Sequence, residues 1–143
     1  MAKLSLHLPL AVVFITAIAA ANAMAAGDPG AQITRPAGYK PMAGAAALGK
    51  KLFNDTKLST NGMSCASCHA NHGAFQASFA KPYPHTVAMA KDQLGRKTVH
   101  LDEMVQGCMV MPMAAKPLPW DSKELAALTA YTAVLQKSFK PNR

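Results

Sequence analysis

An all-α fold is the class the sequence predicts, and three observations predict it. Apolar residues recur at helical spacing in three separate segments, no segment alternates apolar and polar residues as a half-buried strand does, and no stretch repeats another. Aromatic residues make up only 6% of the 143 residues, so side chains alone offer a modest core for a chain of this length.

Taken in order, the chain opens on Lys3 and an apolar run from Leu8 through Val12, Val13, Phe14 and Ile15 to Ala21, followed by the small-residue sites Ala21-Asn22-Ala23 and Ala23-Met24-Ala25. This pattern predicts a secretory leader over 1–25 that is cleaved on export, because the run falls short of the ~20 apolar residues a membrane-spanning helix needs. Nothing later in the sequence is both apolar and long enough to span a bilayer, so the processed chain is expected to have no integral membrane span. Residues 26–41 are rich in Gly, Pro and Ala and read as an extended lead-in that buries little. The remainder, 42–143, is expected to be one domain.

A first helix is expected from near Pro41, with Leu48, Leu52 and Phe53 on one face and Asn54 and Asp55 closing it. Turn residues over 56–62 carry the chain to a cysteine pair. The stretch 73–97 is irregular, with Pro82 and Pro84 enforcing extended backbone and a short helix over 86–94. A second strong helix follows, since Leu101, Met104, Val105 and Cys108 fall at i, i+3, i+4 and i+7 behind the acidic first-turn residues Asp102 and Glu103. Residues 109–119 hold three methionines and three prolines and read as a loop. Asp121 and Glu124 then form a capping box, and the last helix runs to about Phe139 with Leu125, Leu128, Tyr131, Thr132 and Leu135 inward.

The formal charge is +8, with the Lys and Arg of the processed chain scattered from Arg35 to Arg143. Such a distributed field favours encounter with acidic proteins, and Lys50, Lys51, Lys57, Lys116 and Lys123 are the candidates to steer them. Nucleic acid is not an expected partner, because no basic stripe with interleaved aromatics occurs and the leader points to export.

The chemistry lies in Cys65-Ala66-Ser67-Cys68-His69, a C-x-x-C-H run. In this pattern two thiols add across the vinyl groups of a haem, and the adjoining histidine reaches the iron from below. Two intervening residues let one turn of chain span both vinyl positions, and imidazole suits iron as a proximal ligand. Competing uses are a disulfide, a redox-active dithiol, and a zinc site built from Cys65, Cys68 and His72. Zinc needs a fourth ligand from elsewhere, and a dithiol motif belongs with strands that this sequence lacks. The reading is therefore one covalent haem c held by Cys65, Cys68 and His69. Its flat apolar face supplies core surface that the composition otherwise lacks. His72 lies too close to His69 to reach the opposite face and reads as a solvent-facing or propionate-side residue.

With Cys65 and Cys68 consumed by thioethers, Cys108 has no partner in the chain. It is a buried small hydrophobe, an intermolecular disulfide partner, or an iron ligand. Methionine is the usual second sulfur ligand of small electron carriers, and Met109, Met111 and Met113 stand in the loop before the last helix. Met113 follows the stiffening Pro112.

The run Gln106-Gly107-Cys108-Met109-Val110-Met111-Pro112-Met113-Ala114-Ala115-Lys116-Pro117-Leu118, followed by Asp121-Ser122-Lys123-Glu124-Leu125 and Ala127-Leu128-Thr129-Ala130-Tyr131, resembles the haem domains of bacterial thiosulfate-oxidising cytochromes. These include the dihaem thiosulfate dehydrogenases and the cytochrome subunit of the sulfur-oxidation complex. The resemblance covers the last third of the chain together with the attachment motif. It implies a small class I-like cytochrome c domain wrapped around the haem. It also implies that Cys108 ligates the iron, with Met113 as the alternative. The chain departs from those dehydrogenases in having a single attachment motif. The segment from Leu48 to Asp55 leading to Ser64-Cys65 also resembles the first haem domain of bacterial dihaem peroxidases.

The expected function is that of a periplasmic monohaem carrier passing single electrons between redox proteins, without catalysis of its own. The alternative is the haem subunit of a thiosulfate- or sulfur-oxidising enzyme. A ligand-binding sensor or peroxidase-like site is a third class, for which only His85 and His100 offer distal groups, and both read as surface or capping residues. Trp120 reads as packing against the last helix.

Overall fold

The structure, a computed structural model, describes residues 27–141. The leader expected over 1–25 lies outside the described residues. Among those described, the ordered elements are helices α1 (Pro29–Gln32), α2 (Ala46–Phe53), α3 (Cys65–His69), α4 (Ala88–Leu94), α5 (Leu101–Val110) and α6 (Lys123–Ser138), with short 3-10 turns between them. The one β-type contact is an isolated antiparallel bridge in which His85 and Val99 exchange backbone hydrogen bonds of 3.2 and 3.1 Å. The fold is all-α, as the sequence predicts. No described helix is long and apolar enough to cross a membrane.

Two helices form the frame. α2 crosses α6 with the backbones in direct apposition, because Gly44 and Gly49 meet the chain at Ala126 and Ala127 and a Cβ at either glycine would overlap a carbonyl there. Phe53 closes the crossing edge-to-face against Tyr131 at 5.2 Å between centroids. α5 then packs on α6, and Phe53, Val105, Leu125 and Leu128 form one buried cluster. α2 begins at Ala46 and not near Pro41, with Ala45 in extended conformation as its N-cap. α6 is capped by Ser122, whose Oγ accepts from Leu125 N at 3.2 Å, in place of the expected Asp121. Both residue types cap well, and local pattern alone does not choose between neighbours.

A second cluster, Ile33, Ala90, Leu94 and Val99, joins α4 to the segment ahead of α2. That segment is more than the extended lead-in expected. Asp28 caps a helical turn by accepting from Gly30 N at 3.0 Å, Gly30 lies against the Leu94 carbonyl, and Ile33 has no exposed surface. Arg35 and Arg96 then engage Asp102 and Glu103 at the start of α5. The composition of 26–41 gave no hint of this docking, because its anchors are a single Ile and a single Arg.

Candidate metal centre

Between the two clusters lies a cavity of about 310 Å³. The first cluster's packing partners Tyr83, Val87 and Met104 line one part of it, and Phe53, Val105 and Leu128 of the second line another. The predicted stripe of α5, Leu101, Met104, Val105 and Cys108, faces this cavity along its whole length. The helix is buried behind as well, since Asp102, Glu103, Gln106 and Met109 are all enclosed.

Cys65, Cys68 and His69 line the same cavity, carried on the single helical stretch α3. That stretch forms because Ser64 and Ser67 bond reciprocally at its start, Ser64 N donating to Ser67 Oγ at 2.9 Å. His69 Nδ1 is buried with no hydrogen-bond partner, and burial pushes the imidazole pKa down from its ordinary value. Phe75 stacks on the ring at 4.1 Å between centroids. Cys65, Cys68 and Cys108 are all free thiols.

Cys108 and Met113 line the cavity as well. Burial pushes the Cys108 thiol up to about 12, with the nearby sulfurs of Cys65 and Cys68 adding in the same direction, and it pushes Cys65 up to about 11. Met113 is 2% exposed, and its Sδ lies 4.0 Å from Cys65 Sγ. Tyr83 also faces the cavity, its phenol raised to about 12 first by burial and then by the Cys108 sulfur.

The donor set tests well against a covalent haem. Two thiols, an imidazole with an orphaned buried nitrogen, and two further sulfurs surround a mostly apolar chamber, and this is the combination a thioether-linked, sulfur-ligated haem requires. A bare zinc site of Cys65, Cys68 and His72 is not assembled. His72 is turned away onto α6, where its Nε2 lies 3.1 Å from the Leu135 carbonyl and 3.1 Å from Ser138 Oγ. It is half-buried and does not line the cavity.

Among the described residues, the other histidines do not line the chamber. His100 is the N-cap residue of α5, its N–H donating to Glu103 Oε2 at 2.8 Å, and the His85 ring lies 3.1 Å from the Pro82 carbonyl. Trp120 packs edge-to-face on Tyr39 at 5.1 Å between centroids. Sequence reasoning missed Gln106, Thr60 and Asn61, which tie down the loop carrying Met113. The only local signal was an uncharged polar residue, Gln106, inside a buried helix just ahead of a proline-rich loop.

A family model described as SoxA/TsdA, cytochrome c domain matches residues 48–139. That span runs from within α2 to just past α6 and contains every cavity residue named above. No curated protein and no solved structure matches the chain.

Proposed function

Since the chain belongs to the SoxA/TsdA cytochrome c domain family, we propose that it is a periplasmic, monohaem electron carrier whose iron is held between His69 and Cys108. Family membership makes it an electron-transfer haem protein of the c type, with an all-α class I-like domain. The finer reading is carried by one observation: Cys65, Cys68, His69 and Cys108 line a single cavity between the two core clusters.

In this reading Cys65 and Cys68 would hold the group by thioethers, and His69, whose pKa burial lowers, would offer its imidazole to the iron. When bound, haem iron supplies a one-electron couple. α5 presents Cys108 from a helix whose opposite face is buried, so its sulfur is held at a fixed place without loop movement. Met104, Val105 and Phe53 give the chamber apolar walls, and in such a setting a thiolate ligand would lower the potential and a neutral thioether would raise it. One C-x-x-C-H run in the sequence supports one haem, and the apolar leader run with small-residue sites supports export to the periplasm. The exposed Lys50, Lys51, Lys57, Lys116 and Lys123 suit acidic redox partners.

Electron paramagnetic resonance of the oxidised protein tests the ligand. A thiolate-type low-spin signal lost in Cys108→Ala and kept in Met113→Ala is expected, whereas an unchanged spectrum in Cys108→Ala eliminates Cys108 in favour of Met113.

A second reading, favoured by the family match, makes the chain the haem subunit of a thiosulfate- or sulfur-oxidising enzyme. One haem takes one electron at a time, so this reading needs a second redox protein as acceptor. Thiosulfate-dependent reduction of such an acceptor by the purified chain is its test, and no reduction with or without a cytochrome partner removes it.

A further inference from the structure

Resting on the Cys108 reading above and deepening it, we propose that Thr60, Asn61 and Gln106 are positioning residues that select the axial ligand. They pin the loop after α5 so that Met113 lies at the rim of the site, against the Cys65 sulfur, and the axial place is left to Cys108.

Two sulfurs, Cys108 on α5 and Met113 on the loop after it, line one chamber, and a methionine with three rotatable bonds is well able to seek a soft metal. Its position is set from two sides. On the attachment side, three consecutive carbonyls are taken by two residues: Asn61 Nδ2 donates to Pro112 O at 2.8 Å, Thr60 N to Met113 O at 3.4 Å, and Thr60 Oγ1 to Ala114 O at 2.6 Å. On the helix side, the enclosed Gln106 makes a paired contact, its Nε2 donating to Leu118 O at 2.6 Å and its Oε1 accepting from Leu118 N at 2.8 Å.

Between these clamps Ala114 is held at φ 48°, a left-handed conformation that an alanine keeps only when its surroundings demand it. The strained residue directly follows Met113. The result is the 4.0 Å approach of Met113 Sδ to Cys65 Sγ, which is sulfur–sulfur contact. A thioether sulfur belongs to the edge of the ring and an axial sulfur stands over its centre, so a methionine in contact with Cys65 is at the edge. Cys108 rides on α5 and owes its place to none of these bonds.

The test is Thr60→Val/Asn61→Leu in the haem-loaded protein. These residues are exposed, and the substitutions remove the two side-chain donors while keeping size. The expected result is a second low-spin ferric species beside the thiolate signal, with an upward shift of the reduction potential, both abolished by adding Met113→Leu. Ala114→Gly, which admits φ 48° without strain and leaves every clamp in place, is expected to keep the wild-type spectrum and potential, as is Thr60→Ser, which keeps the hydroxyl. An unchanged spectrum and potential in the double variant, or a second ferric species in Ala114→Gly, overturns the assignment of these residues. A wild-type protein without a thiolate signal overturns the Cys108 reading itself, and is recognised before any loop variant is made.

Discussion

Arg35 and Asp102 close a two-pronged ion pair across 67 residues of sequence, with Nε–Oδ1 at 3.0 Å and Nη2–Oδ2 at 2.8 Å. Asp102 is 2% exposed and Arg35 keeps a solvent-facing side, so the two ends respond differently to loss of the partner. Removing the arginine strands a buried carboxylate at the start of α5. Arg35→Ala is expected to lower the stability of the holoprotein by about 2 kcal/mol, less than the roughly 3–5 of a fully enclosed pair. Asp102→Asn leaves a cation that water can reach, and is expected to cost less. Urea midpoints of the two variants decide the order, and equal losses contradict this account.

Gly49 makes a second prediction, about the frame. In an exposed helix, alanine in place of glycine stabilises by about 1 kcal/mol through backbone entropy. Here the added Cβ would overlap the Ala127 carbonyl and crowd the Cβ of Tyr131, and neither is the flexible end of a side chain. Gly49→Ala therefore drives α2 off α6 and is expected to destabilise by about 2 kcal/mol, within the 1–3 typical of overpacking. A thermal melt followed at the haem absorption reads it, and a raised melting temperature contradicts the close crossing.

These two contacts mark where sequence reasoning stopped. The α5 stripe was legible because Leu101, Met104, Val105 and Cys108 declare their common face within two turns. The attachment motif was legible because its three groups stand within five residues. Asp102 and Glu103 read as first-turn acids suited to the helix dipole, which they are. Their burial depends on Arg35 and Arg96, and nothing local announces an arginine 67 residues away. Gln106 is a similar case, since its role appears only when the proline-rich loop folds back to bring Leu118 beside it. Long-range pairing of polar groups leaves no periodicity to read.

His72 carries a third prediction. A carbonyl only accepts, so the 3.1 Å contact with Leu135 O requires His72 Nε2 to carry the proton, and the ring then ties the segment after the motif to the end of α6. His72→Leu removes that tie and is expected to cost about 1 kcal/mol, the net worth of an ordinary hydrogen bond. The absorption and paramagnetic spectra should stay those of the wild type, because His69 is untouched. A changed ligand spectrum in His72→Leu would move the histidine into the metal centre and refute its assignment to the helix end.

The last prediction concerns the attachment itself. In Cys65→Ala/Cys68→Ala both thioethers are gone while His69 remains, so acid–acetone is expected to extract the haem from this variant and to leave it on the wild-type chain. The chamber lies between the two core clusters, and losing the group that would fill it exposes Phe53, Val105 and Leu128 on one part and Val87 and Met104 on another. A cavity of about 310 Å³, at ~24 cal/mol per Å³, corresponds to about 7 kcal/mol. Because the chamber opens to solvent this is an upper bound, yet it is comparable with the ~5–15 kcal/mol that holds a domain of this size folded. The haem-free chain should therefore keep helical circular dichroism but lose a cooperative melt. A sharp transition at the wild-type temperature after extraction would mean that the two clusters stand without the group between them.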